Sequence, residues 1–94
     1  GWEKLGHKEV AHRAERDVIE VGANEGRFDK LRLSVTGNDI ELFDLKVHYG
    51  NGETQDVSVR ETLREGSRTR VIDLPGEARV IKRVDLVYKT EGKR

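Results

Sequence analysis

The 94-residue chain has no cysteine and no methionine, a single proline, a single tryptophan and only 5% aromatic residues. Without cysteine there is no disulfide, no thiol nucleophile and no thiolate metal site, while the redox compartment stays open, because cysteine-free proteins suit oxidising and reducing settings alike. Net charge is lacking too: 18 Lys and Arg balance 18 Asp and Glu, whereas a protein that coats nucleic acid is clearly basic, so no nucleic-acid partner is expected. No apolar run approaches the roughly 20 residues of a bilayer-spanning helix, so no membrane span is expected. No basic-then-apolar leader precedes Trp2, and Gly1 reads either as a processing site or as an artificial chain boundary.

Catalytic signatures are missing as well. Ser34, Ser58 and Ser67 lack a Gly-x-Ser-x-Gly elbow, and there is no glycine-rich phosphate loop, so no catalytic residue and no cofactor are assigned. The length suits one domain, residues 1–94, and is too short for two cores.

What is present points to strands. Apolar residues make up 34% against 38% charged, so the core must be thin, built mainly from 11 Val, 8 Leu, 4 Ile and 2 Phe. Val and Ile together outnumber Leu, and branching at Cβ favours pleated, half-buried surfaces over helical turns. Alternation is clear in residues 30–36, where Leu31, Leu33 and Val35 point one way and Lys30, Arg32 and Ser34 the other. Phe43, Leu45, Val47 and Tyr49 repeat the pattern against Asp44, Lys46 and His48. Ile40 and Leu42 have the opposite parity, so a β-bulge or a bend is expected near Leu42–Phe43. Gly50-Asn51-Gly52 supplies a tight hairpin whose return strand carries Val57 and Val59. Residues 60–66 are polar and read as a single helical turn. Residues 70–74 read as a strand stopped by Pro75-Gly76, since proline cannot donate to a ladder. Val80 and Ile81 restart the extended pattern, Val84, Leu86 and Tyr88 alternate against Arg83, Asp85 and Val87, and residues 89–94 form a frayed charged tail.

The N-terminal third is ambiguous, because Val10, Ala14 and Val18 would share one helical face through residues 8–19. Strands are preferred, since Gly6 and Gly22 bracket the stretch and Val18, Ile19 and Val21 form a β-branched cluster; Trp2 and Leu5 begin a first strand or cover an end of the core. Seven to eight short strands at such spacing predict a small all-β, two-sheet antiparallel sandwich, with a jelly roll as one form it could take.

Few residues suggest chemistry. On a strand His7 and His12, an odd number of residues apart, project to opposite faces, and His48 lies on a polar side, so surface histidines and no metal site are expected. Asp44 and Asp73 stand between apolar neighbours; facing one groove they would make an acid/base pair or hold a cation, and otherwise each occupies the solvent side of its strand. Residues 60–83 hold seven basic against four acidic side chains, net +3. A solvated, internally compensated face is the plainer account of that excess. The sharper one is an anion-binding patch for acidic glycans or phosphates, formed by Arg68, Arg70, Arg79 and Arg83. Stacking partners for sugars or bases reduce to Trp2, Tyr49 and Tyr88, of which both tyrosines share parity with core residues.

The chain resembles a family of small exported bacterial proteins of unknown function, through Trp2-Glu3-Lys4-Leu5-Gly6, Arg16-Asp17-Val18-Ile19, Asp44-Leu45-Lys46-Val47, Tyr49-Gly50-Asn51-Gly52, Arg70-Val71-Ile72-Asp73-Leu74-Pro75-Gly76 and Arg79-Val80-Ile81. The resemblance spans nearly the whole chain. It implies an all-β fold, strands in the ambiguous N-terminal third and a periplasmic or secreted location, and it carries no activity. The resulting expectation is a soluble, non-enzymatic binding or interaction module, a monomer or weak homo-oligomer, whose partner is an anionic glycan, another anionic surface or an envelope protein. An assembly protein pairing through an exposed strand edge is the alternative, and a hydrolase-like enzyme using paired carboxylates the third.

Overall fold

The computed structural model describes residues 2–8, 16–21 and 26–90. Among these, eight strands form two antiparallel sheets that do not close: β1 (Arg16–Glu20), β2 (Arg27–Phe28), β3 (Lys30–Leu31), β4 (Ile40–Tyr49), β5 (Thr54–Val57), β6 (Glu61–Leu63), β7 (Ile72–Asp73) and β8 (Arg79–Thr90). The frame is the long antiparallel pair β4 and β8, from Ile40 opposite Thr90 to Tyr49 opposite Ile81. Beyond β8 lie β1 and β2, and beyond β4 lie β6 and β5, each strand of these pairs matched to a different stretch of its long neighbour. The strands thus divide six and two, with β3 and β7 forming the small sheet.

Two irregularities set the core. Register shifts between Leu42 and Asp44, so Phe43 is the extra residue of a bulge. That bulge lets Ile40 and Leu42 share the buried face with Leu45, Val47 and Tyr49 despite their opposite parity, as the alternation predicts. A second shift between His48 and Tyr49 leaves Lys82 unopposed on β8 and brings Ile81 onto the same face as Val84, Leu86 and Tyr88. These residues join Leu31 and Ile72 of the small sheet, and Val35 and Leu74 beyond its ends, in one cluster of buried side chains.

The hairpin after β4 forms as expected. Gly52 adopts φ +94°, open to glycine at little steric cost, and the Asn51 side-chain oxygen accepts the Glu53 N–H at 3.0 Å. Residues 60–66 depart from expectation, because Glu61–Leu63 pair with β4 as a strand instead of making a helical turn. The cause is Leu63, which is 2% exposed opposite Ile40, whereas a polar three-residue strand with one apolar anchor leaves no period-two trace. The Asp39 carboxylate accepts the Glu65 N–H at 2.8 Å and holds the turn that follows, where Gly66 takes φ +85°. Lys89 and Thr90, assigned to a frayed tail, close β8 against Glu41 and Ile40; residues 91–94 lie outside the described residues. Of the ambiguous stretch 8–19, residues 9–15 lie outside them too, and Arg16–Glu20 form β1. Residues 2–8 form no strand: Leu5 packs at the margin of the core and Trp2 is 50% exposed.

Candidate functional site

The small sheet is the middle of a longer antiparallel ribbon. Lys30 opposes Asp73, Leu31 opposes Ile72, and Ser34 bridges Arg68, so three residues, Thr69 to Val71, face only Arg32 and Leu33. That mismatch strands a backbone donor, which Thr69 satisfies: its buried hydroxyl accepts the Leu33 N–H at 3.0 Å and donates to the Arg70 carbonyl at 2.8 Å. Further main-chain bonds, Val35 N–H to Ser67 O and Gly66 N–H to Val35 O, extend the ribbon beyond the bulge.

Because Leu31, Leu33 and Val35 turn inward, Lys30, Arg32 and Ser34 turn outward, with Asp73 and Arg68 directly opposite Lys30 and Ser34. The Arg32 guanidinium lies 4.0 Å from the centroid of the Trp2 ring, covering one face of the indole. Lys30 is shared between Asp29 at 3.9 Å and Asp73 at 3.7 Å. Arg32 and the exposed Arg68 have no carboxylate partner among the described residues. Val71, 42% exposed, lies in the bulge across from Arg32.

The four arginines singled out from the sequence are not brought to one place. Arg68 and Arg70 sit on the ribbon, but Arg70 leans away to Glu61 at 3.7 Å and to the Ser58 carbonyl at 3.4 Å. Arg79 lies at the hairpin end of the large sheet, paired with Glu53 and stacked 3.7 Å from the Tyr49 ring centroid. Arg83 is on the outward face of β8, its Nε 3.3 Å from Asp85. Arg32 was missed because it lies outside the basic stretch 60–83; its outward parity and the solitary Trp2 were the available signals.

The remaining candidates are dispersed. His48 Nε2 is 2.7 Å from the other Asp85 oxygen and its side chain is only 16% exposed, so it is more enclosed than the surface position expected of it. His7 is exposed and His12 lies outside the described residues. Among the described residues no three His, Asp or Glu side chains converge as a metal site. Asp44 and Asp73 are exposed on different sheets, Asp73 facing Lys30. One carboxylate does enter the core face: Asp17, opposite Leu86, accepts the Tyr88 hydroxyl at 2.8 Å and lies 3.8 Å from Lys8. Burial, and then the Asp17 carboxylate beside it, push the Tyr88 phenol up to about 12.

Residues 1–94 match the family described as Domain of unknown function (DUF2541). No curated protein and no solved structure matches the chain.

Proposed function

We propose that the chain, which belongs to the DUF2541 family, is a non-enzymatic binding module that takes an acidic glycan on the outward face of its ribbon, working in the periplasm or outside the cell. The observation that carries this reading is the Trp2–Arg32 stack on the same ribbon as Arg68, which has no carboxylate partner among the described residues. An indole backed by a guanidinium on one side and half-exposed overall offers its other side to the C–H face of a sugar ring. Arg32 and Arg68, without carboxylate partners among the described residues, supply forked donors that match a uronate or sulfate group, which a compensated pair such as Lys30–Asp73 does not. Opposite charge and an aromatic platform together distinguish such a ligand from a neutral sugar, which would engage Trp2 alone.

Amide chemical-shift titration against neutral, uronic-acid and sulfated oligosaccharides tests this. Saturable shifts at residues 30–34 and 67–71 with acidic glycans, weakened about tenfold or more in the Arg32→Gln, Arg68→Gln double variant, are expected, that being the size of one or two lost charge-assisted hydrogen bonds. Equal binding of neutral glycans, or no binding of any, overturns it.

A second reading, assembly through a strand edge, draws on β5: among the described residues no strand lies beyond Thr54–Val57, whereas β1 has the 2–8 segment against it, Gly6 lying close to the Glu20 carbonyl. A monomeric sedimentation profile at high concentration counts against it.

A further inference from the structure

At the opposite end of the large sheet from the β1 strand start, the β4–β5 hairpin, β2 and the beginning of β8 enclose an open groove of about 580 Å³ lined by Arg27, Tyr49, Gly50, Asn51, Arg79 and Val80. The groove depends on close backbone approach. The Gly50 N–H donates to the Val80 carbonyl at 2.9 Å, and a Cβ at Gly50 would lie 3.2 Å from Val80 Cγ1, so any larger residue there would press the hairpin and β8 apart by a few tenths of an ångström.

Its polar chemistry is one-sided. The Asn51 side-chain oxygen is already taken by the Glu53 N–H, leaving the amide NH₂ as a donor. Arg79 is pinned on three sides, by the Tyr49 ring, by Glu53 and by the Pro75 carbonyl at 3.4 Å, so its position is set before any ligand arrives. Arg27, opposite Val80, is exposed and has no carboxylate partner among the described residues. Side-chain donors therefore line the groove, while Val80, half-buried at the start of β8, gives it an apolar wall; the Tyr49 ring is buried beneath Arg79. Arg27 and Arg79 together with Glu53 leave one net positive charge, which matches a monoanion and leaves a dianion uncompensated.

We propose that this groove is a second, separate binding site for a small monocarboxylate with an apolar body, whose carboxylate Arg27 and Asn51 receive and whose body rests on Val80. Glu53 sets the charge preference by neutralising Arg79.

The test uses benzoate and cyclohexanecarboxylate as probes, with inorganic phosphate at about pH 8, where the dianion dominates, as the comparison, read by amide shifts of the full chain. Both carboxylates are expected to shift Gly50, Asn51 and Val80 saturably in the low millimolar range, with phosphate weaker. Arg27→Gln, at an exposed position that leaves the fold intact, should weaken the carboxylates about tenfold, the effect of losing a charge-assisted contact. Glu53→Gln, which raises the groove to two positive charges, should reverse the order and favour phosphate. No saturable shift at these amides with either carboxylate, or shifts indifferent to Arg27→Gln, overturns the site; an unchanged preference in Glu53→Gln overturns the role given to Glu53. Because the ribbon face is a different surface, none of these results depends on acidic-glycan binding there.

Discussion

Tyr88→Phe should remove a stability increment that is itself pH-dependent. Tyr88 is 2% exposed and donates to Asp17 at 2.8 Å, a hydrogen bond to a charged acceptor, whose loss costs about 1.5–3 kcal/mol. Asp17 retains Lys8 at 3.8 Å, so the lower half of that range is expected at pH 7. The phenol's folded value of about 12 lies above the ordinary 10.0. Its stabilisation is therefore complete below pH 10 and is lost as pH rises towards 12, because the unfolded chain releases the proton first. Two pH units of separation correspond to about 3 kcal/mol in all, roughly half of it gone by pH 11. Urea unfolding of wild type and Tyr88→Phe between pH 7 and 11.5 measures this directly: the two stabilities should converge as pH rises, since lysine and other titrations are common to both. In a Tyr49→Phe background, absorbance at 295 nm follows Tyr88 alone and should place its ionisation near 12. Asp17→Leu leaves the hydroxyl unpaired and should cost about 1–3 kcal/mol, while the Tyr88→Phe, Asp17→Leu double variant should recover at least about 1 kcal/mol of the summed cost. A stability difference constant with pH, or a Tyr88 ionising near 10, would refute the reasoning.

Other expectations follow from local geometry. Gly6→Ala places a Cβ 2.6 Å from the Glu20 carbonyl oxygen and 2.9 Å from Ile19 Cγ2, so residues 2–8 must shift from β1; the Trp2–Arg32 stack should loosen, seen as a red shift of tryptophan emission, and an unshifted spectrum would contradict the packing. Deletion of Phe43 removes the unopposed bulge residue without altering which of Ile40, Leu42, Leu45 and Val47 face inward, so its cost should stay near the ~1–2 kcal/mol of a half-buried ring. Deletion of Lys46, inside the regular ladder, turns Val47 and Tyr49 to the wrong face and should abolish the thermal transition.

The sequence was most informative where one face is buried and the other wet. Leu31, Leu33 and Val35, or Val84, Leu86 and Tyr88, declare their strands because alternation is the direct imprint of a one-sided core, and the parity break at Leu42–Phe43 declares the bulge for the same reason. Glu61–Leu63 carry no such imprint, since a single buried leucine has no period, and pairing with β4 decides their conformation. The anion patch was legible as a composition and not as a place. Arg68, Arg70, Arg79 and Arg83 lie near one another along the chain, but the fold distributes them over the ribbon, the hairpin end and the outer sheet face, where Arg70, Arg79 and Arg83 each meet a different carboxylate.

The sequence alone determined that this is an all-β chain, with its inward residues, its hairpin and its bulge, because these follow from local sterics and the period-two contrast between apolar and polar side chains. Tertiary structure alone decided that Arg32 meets Trp2, that Glu53 occupies Arg79 and that Asp17 reaches Tyr88, because such contacts join residues 26 to 71 positions apart and depend on register, which a one-residue shift would reverse.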